Sequence, residues 1–167
     1  SAASDVYKRQ ILMIVVFIRT FLYIINPCLT KTYRNLEHYG NPEKILSDVE
    51  KQIRRRILLQ TKTLILTPRY LVELSDDICA IIPLPEVLWI YDHAAMRRTI
   101  KGRQLSYTIH VVTMKGEEYT LTGKSHREVS AIYHELNTRY PNFFFGYSKE
   151  HQEMVQYVLH EMKNEKA

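Results

Sequence analysis

The strongest constraint on this chain is a period-two pattern between residues 62 and 123. Six short strand-like runs separated by turn residues make it up, at 63–67, 69–74, 78–83, 86–93, 104–114 and 117–122, and the alternation is clearest in the fifth. Period two is the signature of strands, because successive side chains point to opposite faces. In the fifth run Leu105, Tyr107, Ile109 and Val111 alternate with Ser106, Thr108 and His110, which predicts a strand with one buried face. In the fourth, Val87, Trp89 and Tyr91 alternate with Leu88 and Ile90, so both sides are apolar and a strand covered on both faces is expected. Pro68-Arg69, Ser75-Asp76-Asp77 and Lys115-Gly116 read as turns, and Pro83 and Pro85 break the chain before Glu86. Residues 94–103 read as a loop. The pattern predicts an antiparallel meander.

Helices flank this region. Asn41 is suited to an N-cap, Pro42 to the first helical position and Glu43 to the positive end of the dipole. Ile45, Leu46, Val49, Ile53 and Ile57 follow on one face, opposite Asp48, Lys51, Arg54 and Arg55, so the helix is expected to reach about residue 59. Ser125 with Glu128 forms a capping box ahead of a stripe of Val129, Ile132, Tyr133 and Leu136. Residues 140–147 form an aromatic connector, in which Phe143-Phe144-Phe145 either closes the core as strand or loop or stands exposed as a contact surface. Ser148 caps a last helix to about residue 163, with Met154, Val155, Val158, Leu159 and Met162 expected on its inner side. The class is α+β.

The N-terminal third suggests a membrane tether. Residues 1–10 begin without Met and read as a non-native leader. The run 11–25 is apolar but for Arg19 and Thr20; counted to Asn26 it would span about 24 Å as a helix, slightly less than a hydrocarbon core. One reading makes it the end of a transmembrane helix, with Arg19 snorkelling and Phe21 and Tyr23 at the headgroups. A second makes it the buried helix of a soluble α+β domain, and a signal peptide is a third. The basic residues that follow place the C-terminal domain in the cytoplasm under the first reading, with the cell membrane as its location. Cys28 then lies just beyond the membrane exit, where S-acylation is an option. The expected layout is a leader (1–10), a truncated membrane helix (11–27), a juxtamembrane linker and amphipathic helix (28–60), and a globular domain (61–164).

Charge and motif content narrow the chemistry. Residues 1–60 hold ten Lys/Arg against five Asp/Glu, whereas residues 61–167 hold thirteen of each. A nucleic-acid domain concentrates its basic excess on the folded part, so nucleic acid is not expected as a partner. The chain has no phosphate loop, nucleophile elbow, zinc helix motif or calcium loop. Seven histidines and two cysteines show no metal-ligand spacing. No catalytic residue, cofactor or metal is assigned, and the chain is read as a non-enzyme. Two cationic groups stand out: Arg54, Arg55 and Arg56 on the first amphipathic helix, and Arg97, Arg98, Lys101 and Arg103 in the expected loop. Either is a candidate contact for anionic lipid headgroups or an ordinary solvated surface.

A family resemblance enters with three segments. TLILTPRYLVEL resembles the opening strands of bacterial pleckstrin-homology-like domains. IIPLPEVLWIY, and a helix followed by YPNFFFGYS, are similar to membrane proteins of Gram-positive bacteria that carry an N-terminal anchor, an Asn-Pro exit like Asn26-Pro27 and a cytoplasmic domain of this type. The resemblance implies a PH-like sheet or barrel closed by C-terminal helices, and it implies no activity. The combined expectation is a membrane-anchored interaction or scaffold protein with a protein partner to be identified. The alternatives are a lipid-sensing module using the basic loop and a soluble α+β domain with a buried N-terminal helix.

Overall fold

In the computed structural model the structure describes residues 2–24, 26–75 and 78–166, and the side chains of 19–30 stand outside the description. The chain divides into two compact units, Ser1–Pro83 and Leu84–Ala167. The first holds α1 (Ala2–Ile24), α2 (Asn26–Glu37), α3 (Pro42–Arg55) and strands β1 (Leu59–Gln60), β2 (Leu64–Leu66), β3 (Tyr70–Leu74) and β4 (Cys79–Pro83). The second opens with a 3-10 turn at Leu84–Glu86. It continues through β5 (Val87–Thr99), β6 (Gly102–Thr113), β7 (Glu118–Lys124), α4 (His126–Arg139), β8 (Phe144–Phe145) and α5 (Lys149–Asn164).

In the first unit β1–β4 form an antiparallel sheet in sequence order, with Leu66 facing Leu71 and Val72 facing Ile81. The Pro68-Arg69 turn forms as expected. Thr67 and Tyr70 close it through Thr67 N–H to the Tyr70 carbonyl at 2.9 Å, while the Thr67 hydroxyl accepts the Tyr70 N–H at 3.0 Å. Ser75 N–H bonds the Ile78 carbonyl at 2.9 Å, and Asp76 and Asp77 of the second turn lie outside the described residues. Asn41 caps α3 by accepting from the N–H groups of Glu43 and Lys44. This helix stops at Arg55, short of residue 59, because Arg56 turns to extended backbone. Val49 and Ile53 of α3 then pack with Leu36, Ile65, Tyr70, Val72 and Ile81, and with Val15 and Ile18 of α1.

That last contact overturns the membrane reading. Among the described residues no helix is long and apolar enough to cross a membrane. The apolar run is part of a longer helix that also carries Asp5, Lys8 and Arg9. Its Val15 and Ile18 are buried in protein, with Ile11 and Ile14 packed beside them. The expected anchor, the membrane partner and the cell-membrane location with a cytoplasmic C-terminal domain all rested on that run, and they fall with it. The alternative that buried the N-terminal helix fits better. Arg19, Phe21, Tyr23 and Cys28, which the anchor reading used, lie among the side chains outside the description. The segment after the run is also not a plain linker, since α2 carries helix on to Glu37.

In the second unit the strand order is β7-β6-β5-β8. β5 and β6 are antiparallel over their whole length, β6 pairs antiparallel with β7, and β8 returns parallel to β5 beside Trp89 and Ile90. The base of β5 is covered on both faces, as its double apolar pattern requires. On one face lie Ile90, Ile109 and Val111, all fully buried, and α4 comes down on that side through a bond from the Tyr133 hydroxyl to Asp92 at 2.7 Å. On the other face Trp89 and Val112 pack with Val155, Val158 and Leu159 of α5. The capping box at Ser125 forms in both directions. Met154 departs from expectation: it is exposed, because at 100° per residue it lies about 90° around the helix from the centre of the face formed by Val155, Val158 and Leu159.

The pleckstrin-homology-like barrel is corrected as well. Among the described residues the strands hydrogen-bond as two separate four-stranded sheets, one in each unit. The break falls at Pro83–Glu86, where two prolines and a 3-10 turn end one ladder before the next begins. The order of strands along the chain matches the meander, but pairing does not run through it to close a barrel.

Candidate functional site: the β5–β6 arm

The segment expected as a loop is a β-ribbon. β5 continues to Thr99, β6 begins at Gly102, and only Ile100 and Lys101 separate them. The Thr99 hydroxyl donates to the Gly102 carbonyl at 2.9 Å. Gly102 has φ +113°, a conformation that glycine adopts without strain. β7 pairs with β6 no farther out than Tyr107, and β8 pairs with β5 only at Trp89 and Ile90. Beyond Ala94 and Tyr107 the ribbon is two-stranded and exposed. Such a ribbon alone is marginally stable in water.

The register sorts its side chains. Met96 faces Leu105, and Arg98 faces Arg103. By alternation these two rungs share the face of Ile90, Asp92, Ile109 and Val111, the side that α4 covers nearer the base. The opposite face carries Arg97 with Gln104, Ala95 with Ser106, and His93 with Thr108. The four cations are therefore not one cluster: Arg98 and Arg103 stand directly opposed, Arg97 points the other way, and Lys101 sits at the tip. A lipid-sensing loop that gathers all four loses its basis. Arg54, Arg55 and Arg56 belong to the other unit, where Arg54 is bound to Glu50 at 2.6 Å and Arg56 ends α3.

Met96 is 67% exposed, Leu105 52%, and Ile100 at the tip fully so. The sequence reading did not single out these three exposed apolar side chains. A signal was present: no Asp or Glu occurs from His93 to Gly116, although Arg97, Arg98, Lys101, Arg103 and Lys115 all fall there.

At the base of the arm, on the α5 side, lies a second polar group. The Tyr91 hydroxyl donates to Glu118 Oε1 at 3.1 Å, and His110 Nδ1 is 3.1 Å from the same oxygen. The Tyr91 and His110 rings stack at 4.6 Å, Trp89 lies 4.2 Å from Tyr91, and Tyr147 lies 5.5 Å from it. The aromatic rings thus fill the space beside the imidazole and carboxylate, which are satisfied by each other and by the phenol. Among the described residues no three His, Cys, Asp or Glu side chains converge as a metal ion would require.

Burial, and then the hydrogen bond and charge of Glu118, push the Tyr91 phenol from 10.0 up to about 12. The same causes, with Asp48 and Asp92 as the carboxylates, also raise Tyr70 and Tyr133. The fold holds the protonated phenol. The stabilisation from Tyr91 is therefore complete below pH 10 and is lost as pH climbs from 10 through 12. In a tyrosinate absorbance titration these three phenols should ionise late, and Tyr91→Phe should remove one late component. An unchanged titration would mean that the Glu118 bond does not hold in solution.

The family comparison now decides what the chain is. A family model described as a domain of unknown function, DUF6709, matches residues 41–155. The chain belongs to the DUF6709 family. The matched span begins at the N-cap of α3, takes in all eight strands and the whole arm, and ends within α5. Membership in DUF6709 replaces the resemblance to membrane-anchored, pleckstrin-homology-like proteins. No curated protein and no solved structure matches the chain.

Proposed function

We propose that this DUF6709 protein is a non-catalytic binding module whose contact element is the β5–β6 arm. The observation that supports the reading most is the uncovered face of the ribbon. It carries an apolar rung, Met96 with Leu105, next to a rung of two opposed arginines. Like charges directly opposite on a sheet destabilise it, and the arm has no acid of its own to offset them. An acidic partner with apolar side chains relieves both costs, by covering Met96 and Leu105 and by neutralising Arg98 and Arg103.

The test is a photo-crosslinking amino acid at Ile100 of the full chain, in cells. Discrete adducts are expected from position 100, lost when Arg98 and Arg103 are both changed to Glu, and not formed from exposed Met13 of α1. No adduct at position 100, or adducts indifferent to the arginines, would overturn the reading.

A further inference from the structure

The geometry points to a second copy of this chain as the occupant of the arm, with the arm of each copy lying across α5 of the other. This deepens the proposed function and rests on it.

The outer face of α5 carries side chains complementary to the arm. Glu150, Met154, Tyr157 and Glu161 follow at spacings of four, three and four, so they form one stripe along the helix, with Glu153 beside it. Met154 is 52% exposed and Tyr157 67%. Lys149 and Lys163 fall on the flank of the helix and leave the stripe without a cation. An apolar pair bordered at each end by a carboxylate is the complement of the arm, which offers an apolar pair bordered by two guanidinium groups.

The spacings also agree. Adjacent same-face rungs of a strand are about 7 Å apart, which separates Met96 and Leu105 from Arg98 and Arg103. One helical turn of about 5–6 Å separates Tyr157 from Glu161, and Met154 from Glu150. Arginine pairs with carboxylate in two parallel bonds, so two opposed arginines can hold more than one acid.

The same molecule cannot make this contact. Its α5 packs over Trp89 and Val112, whereas Met96, Leu105, Arg98 and Arg103 are on the reverse side of the ribbon. A second copy can, and a single two-fold axis would form the contact twice, arm to helix and helix to arm. Two such contacts would cover the exposed apolar side chains of both elements.

Sedimentation of the full chain over a wide concentration range tests this. A reversible dimer is expected. Arg98→Glu with Arg103→Glu should weaken it by about tenfold or more, and so should Glu150→Lys with Glu161→Lys. The variant carrying all four changes should recover dimerisation. These side chains are exposed, and circular dichroism of each variant establishes that it is folded. A crosslinker at Ile100 should give an adduct of doubled mass with its attachment in α5. A monomer at every concentration would overturn the inference, as would a dimer indifferent to both reversals or a four-fold variant that stays dissociated. If the monomer still forms arginine-dependent adducts with another protein, the self-contact is wrong and the binding reading stands. Arginine-dependent retention of DNA or RNA by a monomer would likewise overturn the self-contact. A monomer without adducts would remove both.

Discussion

Replacing Trp89 by alanine is expected to lower the stability of the second unit by about 3–5 kcal/mol, in the range of large aromatic truncations in cores. Trp89 sits where three elements meet. It is buried against Leu88, Val112 and Val155, it pairs with Phe144 of β8, and its indole N–H donates to the Gly146 carbonyl at 2.9 Å. Truncation would open a cavity under α5 and release the segment that carries β8. Trp89→Phe separates these effects. It keeps most of the apolar ring and loses the hydrogen bond, so a smaller cost of about 1 kcal/mol is expected. Urea denaturation followed by circular dichroism measures both variants, since the only tryptophan of the chain is the residue being replaced. A loss below that of the Phe variant would show that α5 does not depend on this contact.

The second large effect concerns α1. Val15→Asp is expected to destabilise the first unit by about 3–5 kcal/mol, the scale of an uncompensated buried charge. Val15 is 4% exposed and packs in a cluster with Ile53, Val72 and Ile81. Met13→Asp is the control: two residues away but 71% exposed, it should change stability by no more than about 0.5 kcal/mol. Hydrogen exchange at the amides of β3 reads the effect within this unit. Equal behaviour of the two variants would mean that α1 is not held by its Ile11–Ile14–Val15–Ile18 face.

Much of the secondary structure was legible because burial imposes periodicity. Val49 and Ile53 marked α3, Ile109 and Val111 marked β6, and Ser125 with Glu128 announced α4 through local hydrogen bonding alone. The arm was not legible for the same reason. Residues 94–103 have no buried face, so no alternation of hydrophobicity marks them as strand. The two-residue strands β1 and β8 are too short to carry a period. The barrel expectation failed at a different level, since which strand pairs with which depends on tertiary contacts, as the Trp89–Phe144 pairing illustrates. For α1, apolar run length was read as a membrane signal. The same residues serve equally well as one side of a helix packed on protein, and only the positions of Val15 and Ile18 distinguish the two.

The parallel return of β8 has a consequence for how the protein is made. Gly146, which receives the indole hydrogen bond, follows Trp89 by 57 positions. At roughly 5–20 residues per second, a ribosome needs about 3–11 s to cross that interval. Throughout it, the nascent chain displays an unpaired edge beside an uncovered tryptophan. The outward cations of the ribbon emerge early in this window, and positive charge on an open strand discourages edge-to-edge association. The Arg97–Arg103 stretch would therefore protect the growing chain before it takes up any role in the finished one.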